Sequence, residues 1–162
     1  MPGATVAVEV AYEERYWYPD DGGEVWVAGY HVVDPASGRY LGRDAPELAA
    51  RGLRVAGVAG AAQHHAQVLV ADAAAPGRPL TLRRDAANAH DPNAIAVDVA
   101  DGGQLGWVPR ELAGELAGDL DGDVPWSAVV LRERRASPRD PRTGVTMLLA
   151  RAPAVALRAR PR

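Results

Sequence analysis

The sequence of 162 residues contains no cysteine, no lysine and no phenylalanine, and it has only one isoleucine and two asparagines. Without cysteine, the chain has no disulfide framework, no thiol nucleophile and no zinc site that depends on thiolate ligands. Without lysine, it has no nucleotide-hydrolysing P-loop, whose motif requires that residue. All eighteen cationic side chains are arginine, which together with abundant Ala, Gly, Pro and Val is typical of a coding bias.

Long apolar runs are also absent. No stretch approaches the roughly 20 apolar residues that a membrane span requires. The first residues, Met1 to Val6, lack the basic region and apolar run of a signal peptide. We therefore expect a soluble cytoplasmic protein without a membrane partner, of a length that suits one domain or one domain with a short appendage.

Charge is distributed unevenly, although the formal net charge is only −3. Residues 1–131 contain 9 arginines and 19 acidic residues, whereas residues 132–162 contain 9 arginines and 2 acidic residues. An acidic body with a basic tail favours a polyanionic partner. A solubilising C-terminus that frays in water explains the pattern equally well, so both interpretations stay open.

Short strand patterns separated by Gly and Pro predict a mainly β fold, a barrel or sandwich, with two short helices. We predict strands at residues 6–10, 25–33, 39–41, 55–58, 65–70, 80–83, 94–99, 105–108, 126–131, 145–150 and 155–157. One helix begins near Asp44 and ends before Gly52, and the other begins at Pro109 and ends before Asp121. We expect residues 1–50 to form a β-hairpin extension, 51–135 the core domain, and 136–162 the last strands and an Arg-rich tail.

The densest signal lies at residues 82–97, which contain both asparagines, the only isoleucine and His90. A bias that removes Asn and Ile elsewhere has spared them here, which indicates a constraint on this segment. A purely structural interpretation is that Asn88 and Asp91 form Asx turns before a strand.

A second signal follows at residues 103–113, where a strand ends at Trp107 and passes directly into a helix. This places Arg110 in the first helical turn, beside free backbone N–H groups that suit a phosphate. The alternatives are an Arg110 that only pairs with a surface acid and a Trp107 that belongs to the core.

Together with the pair His64-His65, these two segments resemble the HIRAN domain over roughly residues 52–135. The resemblance implies an OB-like β-barrel of the HIRAN type that captures the 3′ end of single-stranded DNA and is found fused to helicase or RING parts. By position, one of the paired histidines and His90 would hold the terminal bases. Asn88 would contact a base edge, Asp91 would accept a hydrogen bond from the 3′-hydroxyl, Arg110 would meet phosphate, and Trp107 would lie beside the pocket.

The leading hypothesis is therefore a binding module without enzymatic activity or cofactor. Its expected partners are single-stranded DNA or DNA 3′ ends, with helicase or repair proteins in a repair or replication-fork context. A second hypothesis is a metal-dependent hydrolase or nuclease that binds Zn or another divalent metal through His64, His90 and Asp91. In a strand, however, His64 and His65 would point to opposite faces.

A third hypothesis is a protein-interaction domain that docks its partner through the acidic body or the basic tail. An N-terminal aromatic cluster, Tyr12, Tyr16, Trp17 and Tyr18, either lines a nucleic-acid groove or packs against the barrel, and we expect packing.

Overall fold

The computed structural model describes residues 4–18 and 25–161, and it is mainly β. Its strands are β1 (Thr5–Trp17), β2 (Val25–Val32), β3 (Leu53–Gly57), β4 (Pro79–Arg84), β5 (Ile95–Val99), β6 (Gln104–Trp107), β7 (Ser127–Arg135), β8 (Arg142–Ala150) and β9 (Ala154–Ala159). Its helices are α1 (Pro46–Ala50), α2 (Ala61–His64), α3 (Ala66–Leu69) and α4 (Arg110–Asp121), with a 3-10 turn at Asp72–Ala74.

Strand β7 is the centre of the sheet. One of its edges pairs with β8 along its length, and β8 pairs in turn with β3. On the other edge, the first residues of β7 pair with β4 and the last residues pair with β2. The sheet therefore has two wings, one of β4, β5 and β6 and one of β2, β1 and β9.

The predicted OB-like barrel is not confirmed, because these strand ladders do not close into a cylinder. In the described part of the chain, an isolated bridge joins the end of β6 to the segment after β3. There the N–H groups of Ala59 and Trp107 each donate to the other residue's carbonyl oxygen, at 2.8 and 2.9 Å. Gly106 permits this approach, since a Cβ at that position would lie 2.4 Å from the Ala59 oxygen.

Two apolar cores lie on opposite faces of β7 and β8, as the alternation of side chains along a strand requires. Val130 and Met147 belong to the core that the β4–β6 wing and α4 cover. Leu131 and Leu148 belong to the core that β1, β2 and α1 cover. The N-terminal strands thus cover the second core.

The predicted N-terminal hairpin is confirmed, since β1 and β2 pair in antiparallel fashion, but β1 is much longer than residues 6–10. Its turn at residues 19–23 lies outside the described residues. The segment predicted as a strand at residues 39–41 makes one bridge, between Val33 and Tyr40, so it does not form a strand as such.

The strand predicted at residues 65–70 is wrong. Residues 66–69 of this segment form α3, His65 joins α3 to α2, and Val70 caps α3, so the described chain has more helices than the two that were predicted. A helical backbone brings the carbonyl oxygens of Leu69 and Ala71 to the buried guanidinium of Arg142, at 2.7 and 3.0 Å. That long-range contact outweighs the local strand pattern.

The basic C-terminal segment is built into the sheet. Ala154–Ala159 form β9, which pairs in parallel with Thr5–Val10, so fraying in water does not describe these residues. Arg160 then donates to Glu9 at 3.2 Å. Within the described ranges, no helix has the length and apolar character needed to cross a membrane.

Candidate functional site

All seven residues predicted for the binding site lie around one pocket of about 570 Å³. Its lining comprises Ala59, His64, His65, Asn88, His90, Asp91, Ala94, Ile95, Trp107, Val108 and Arg110. A pocket of this size is typical of sites for small organic molecules.

Three segments distant in sequence meet at this pocket, and the β6 bridge joins two of them. The bridge fixes Trp107 beside Ala59, and Ala59 leads at once into α2 and the histidine pair. The loop between β4 and β5 brings His90 and Asp91 to the same place. Helix α4 follows β6 after two residues and contributes Arg110 from its first turn.

Asn88 organises the loop between β4 and β5. Its side-chain oxygen accepts hydrogen bonds from the backbone N–H groups of His90 and Asp91 at 2.9 and 3.0 Å, and its Nδ2 donates to Asp85 at 3.2 Å. Asp91 Oδ1 in turn accepts from the N–H of Asn93 at 2.9 Å. The Asx-turn interpretation is thus confirmed. Asn88 uses its carbonyl oxygen and one amide N–H to shape the loop, which leaves the second N–H of Nδ2 for the base-edge role implied by the resemblance.

Asp91 and Arg110 form a polar pair at the pocket. The Arg110 Nε lies 3.9 Å from Asp91 Oδ2, and the Arg110 side chain is 77% exposed whereas that of Asp91 is 17% exposed. Arg110 also donates a long bond, 3.5 Å, to the carbonyl oxygen of His90. The surface acid that pairs with Arg110 is therefore a pocket residue, with the cation at the rim and the carboxylate deeper.

Trp107 and His64 flank Gly60, which has a positive φ of +74°. A Cβ at this glycine would lie 3.3 Å from Trp107 Cδ1 and 3.5 Å from His64 Cδ2. Trp107 is half-buried, so it contributes both to packing and to the pocket wall. The sequence motifs did not identify Ala59 or Gly60, because a small residue carries no chemical signal of its own.

Arg84 is a second residue that the sequence analysis missed. Its guanidinium donates to the carbonyl oxygens of Pro92 and Ala94, at 3.1 and 2.9 Å, and it pairs with Asp121 at the end of α4. Arg84 thereby ties the loop after β4 to the helix that carries Arg110. Its position directly before Asp85 and Asn88 is the signal that was available.

The histidine pair does not have the arrangement predicted for it. His64 ends α2 and His65 links it to α3, so both side chains line the same pocket rather than opposite faces of a strand. The two rings are 6.4 Å apart, with 68° between their planes. Among residues 4–18 and 25–161, no three His, Asp or Glu side chains are grouped to hold a metal ion, so the set His64, His90 and Asp91 is not assembled as a site.

Comparison with known families decides the relationship. The family model of the HIRAN domain matches residues 54–145, more than half of the chain. The chain belongs to the HIRAN domain family. HIRAN domains are in general DNA-binding modules, and the matched range contains all seven predicted site residues.

Among solved structures, the HIRAN domain of human HLTF is 26% identical to this HIRAN protein, covering 62% of this chain and 77% of that one with a TM-score of 0.45. A search of curated proteins finds no match. The matched range begins after β1, β2 and α1 and ends within β8, so the N-terminal strands and β9 lie outside it.

Proposed function

We propose that this HIRAN domain binds single-stranded DNA at a free 3′-hydroxyl end, as a binding module without a catalytic step. The observation that carries the proposal is the pairing of a recessed carboxylate, Asp91, with an exposed cation, Arg110, in a pocket walled by aromatic rings. We place the module in DNA repair or at replication forks in the cytoplasm, beside helicase or repair proteins.

The carboxylate supports selection of an end over an internal nucleotide. A terminal 3′-hydroxyl donates a hydrogen bond to Asp91, whereas a phosphate at that position brings a second negative charge against it. Because Asp91 Oδ1 is already held by the N–H of Asn93, Oδ2 is the oxygen placed to accept from the ligand. Arg110 lies on the side of Oδ2 and provides the contact for the preceding phosphate.

The rings support binding of bases without a strong sequence preference. Stacking on an aromatic side chain contributes about 1–3 kcal/mol per base, and the small face of imidazole places His64, His65 and His90 near the lower end of that range. Trp107 offers the larger surface. The resulting affinity rests on few phosphate contacts, so we expect a shallow salt dependence, a slope of about −0.7 per phosphate.

Fluorescence anisotropy with three single-stranded ligands tests this proposal: a strand with a free 3′-hydroxyl, the same strand with a 3′-phosphate, and a circular strand. We expect the first to bind at least about tenfold more tightly, the ratio given by one hydrogen bond to a charged group. Asp91→Asn keeps the oxygen that accepts from Asn93 but removes the charge, so it should abolish discrimination against the 3′-phosphate. Arg110→Ala should weaken binding of every ligand.

Arg78→Ala is the matched control for Arg110→Ala, since Arg78 is exposed, pairs with Asp72 and lies outside the pocket. Equal affinity for all three ligands would refute end recognition. Loss of binding after treatment with a chelator, or release of nucleotides from the labelled strand, would favour the metal-dependent hydrolase instead.

A further inference from the structure

A second pocket, of about 440 Å³, lies where four neighbouring strands and the segment before α1 meet. We call it the arginine pocket; its lining comprises Arg15, Trp17, Val27, His31, Arg43, Arg132, Arg134 and Thr146. Half of these residues are arginines. Five of the eight precede the range matched by the family model, so the N-terminal strands create this pocket.

The sheet register places the cations side by side. Arg15 of β1 is opposite Val27 of β2, and Val27 is opposite Arg134 of β7. Residues opposite each other on adjacent strands share a face, with strands about 4.8 Å apart. Arg15 and Arg134 therefore lie on either side of Val27. Their side chains are long enough for both guanidinium groups to contact one small anion between them. Arg132 lies opposite Thr146 on the next strand pair.

The arginine pocket lacks the countercharge that most other arginines in the described part of the chain have. In the described part of the chain, no carboxylate lies within 4.0 Å of Arg43, Arg132 or Arg134, and Arg15 has a loose contact with Glu13 at 3.8 Å. Burial, followed by repulsion from Arg43 and Arg15, lowers the pKa of the Arg132 guanidinium. Like charges held together without a partner destabilise the free protein and suit an anionic ligand.

The polar side chains next to these arginines form hydrogen bonds and ring contacts within the protein. Arg132 donates to the carbonyl oxygen of Tyr30 at 2.9 Å and contacts His31 Nδ1 at 3.5 Å. His31 stacks on Tyr40 with ring centres 4.9 Å apart, and Tyr40 donates its hydroxyl to Glu13. The Glu13 carboxylate is thus held by Tyr40, which leaves Arg43 and Arg134, both exposed, as the arginines of the pocket that can reach an anion.

An aromatic surface accompanies the cations. Trp17 is 51% exposed although it lines the pocket, contrary to the expectation that it packs against the barrel. Proteins that bind single-stranded nucleic acids combine exposed aromatic rings, on which bases stack, with cations that contact the phosphates. An inorganic anion would contact only the arginines and not the tryptophan.

The two pockets are linked through β8 and β3. Thr146 of the arginine pocket is opposite Gly57 of β3, and Ala59 of the first pocket follows two residues later. Ile95 of the first pocket and Met147 of β8 belong to the same core, so the side chain of Thr146, the neighbour of Met147, lies on the opposite face of β8. A DNA strand that occupies both pockets therefore runs from one face of the sheet to the other, which a dinucleotide is too short to do.

We propose that the arginine pocket binds internal phosphodiester groups of the strand whose 3′ end occupies the first pocket, with Trp17 stacking one of its bases. This inference rests on the proposed function for the position of the 3′ end. It assigns the N-terminal strands a role in binding DNA that the family match does not cover.

The test uses the full chain, the double variant Arg43→Ala/Arg134→Ala and the matched control Arg78→Ala/Arg139→Ala, which removes two exposed arginines elsewhere. For a 12-nucleotide strand with a 3′-hydroxyl, we expect about tenfold weaker binding by the first double variant and less than twofold change for the control. The slope of log affinity against log salt should fall by about 1.4, the value for two phosphates. A 3′-hydroxyl dinucleotide should bind both double variants equally.

Trp17→Ala should weaken binding of the 12-nucleotide strand about fivefold or more, whereas Tyr18→Ala, its exposed neighbour, should change it less than twofold. Equal binding of the 12-nucleotide strand by the two double variants would overturn the inference, as would a loss confined to binding of inorganic phosphate or a mononucleotide. If a circular strand binds as well as a linear one but loses affinity in Arg43→Ala/Arg134→Ala, the arginine pocket stands and the proposed end recognition fails.

Discussion

Replacing Arg142 with methionine should destabilise the protein and weaken DNA binding, although Arg142 is not a pocket residue. Its buried guanidinium donates to the Glu133 carboxylate and, at 2.7 and 3.0 Å, to the carbonyl oxygens of Leu69 and Ala71. Methionine retains much of the apolar stem but donates no hydrogen bond. A buried carboxylate and two carbonyl groups therefore lose a partner at once.

The size of the stability loss depends on the hydrogen bonds that Glu133 keeps when Arg142 is replaced. Removing one partner of a buried ion pair costs about 3–5 kcal/mol. Burial favours the neutral form of Glu133, but hydrogen bonds from Arg142 and Arg135 hold its pKa below the ordinary value. Because Arg135 still donates to Glu133 at 3.1 and 3.2 Å, we expect Arg142→Met to lower the free energy of unfolding by about 3 kcal/mol. For a domain of this size, that loss corresponds to a fall in Tm of about 6–12 °C.

Urea unfolding followed by circular dichroism measures this loss. The double variant Arg142→Met/Glu133→Leu should recover part of it, since replacing both members of a buried pair by apolar residues is often neutral. Arg139→Met, at an exposed position, is the control and should change the free energy of unfolding by less than about 0.5 kcal/mol. The reasoning is refuted if Arg142→Met unfolds like this control, or if the double variant is less stable than the single one.

Binding provides an independent measure of the same contact. Arg142 fixes the end of α3, and the N–H of Leu69 donates to the His65 carbonyl oxygen at 2.9 Å. Without the Arg142 anchor, His65 loses its fixed position in the first pocket. We expect a severalfold weaker affinity for the 3′-hydroxyl strand under conditions where Arg142→Met remains folded, measured by anisotropy.

Two further predictions concern His31 and Gly106. Burial and the nearby Arg132 lower the pKa of His31 from 6.5 to about 4, so between these values the unfolded chain takes up a proton that the folded chain does not. The free energy of unfolding should therefore fall as the pH drops from 6.5 to 4, by about 1–2 kcal/mol because solvent reaches part of the half-buried ring; urea titrations should show a shallower fall for His31→Gln, and an unchanged slope would contradict the assignment. Gly106→Ala places a Cβ 2.4 Å from the Ala59 oxygen and 2.7 Å from Val58, so it should cost about 1–3 kcal/mol and reduce DNA binding by opening the β6 bridge. Gly114→Ala, a helical position with no atom within 4 Å, should instead be neutral or slightly stabilising, and equal effects of the two substitutions would count against the bridge.

The first pocket was predictable from sequence because its residues fall in compact motifs. Asn88, His90 and Asp91 lie within four positions, and Trp107 and Arg110 lie at one strand-to-helix junction. Composition and the strand-to-helix junction marked these two groups, the resemblance to the HIRAN domain implied that they share a site with the histidine pair, and the structure brings all of them together.

What could not be predicted depends on contacts between distant segments. The helical state of residues 65–70 depends on Arg142, more than 70 positions away in the chain. The arginine pocket collects Arg15, Arg43 and Arg134 from separate elements. In the sequence, these arginines are not distinguishable among eighteen that a coding bias explains, and only the strand register shows that Arg15 and Arg134 share one face.

The parallel pairing of Thr5–Val10 with Ala154–Ala159 has a consequence for biosynthesis. These strands are separated by most of the described chain, so the hydrogen bonds between them form only after the residues that lie between them have left the ribosome. Closing so long a loop carries an entropic cost and slows folding. Until then, β1 has an unpaired edge that is open to other chains. A chaperone that shields this edge during translation should raise the yield of folded protein more than one that acts after release.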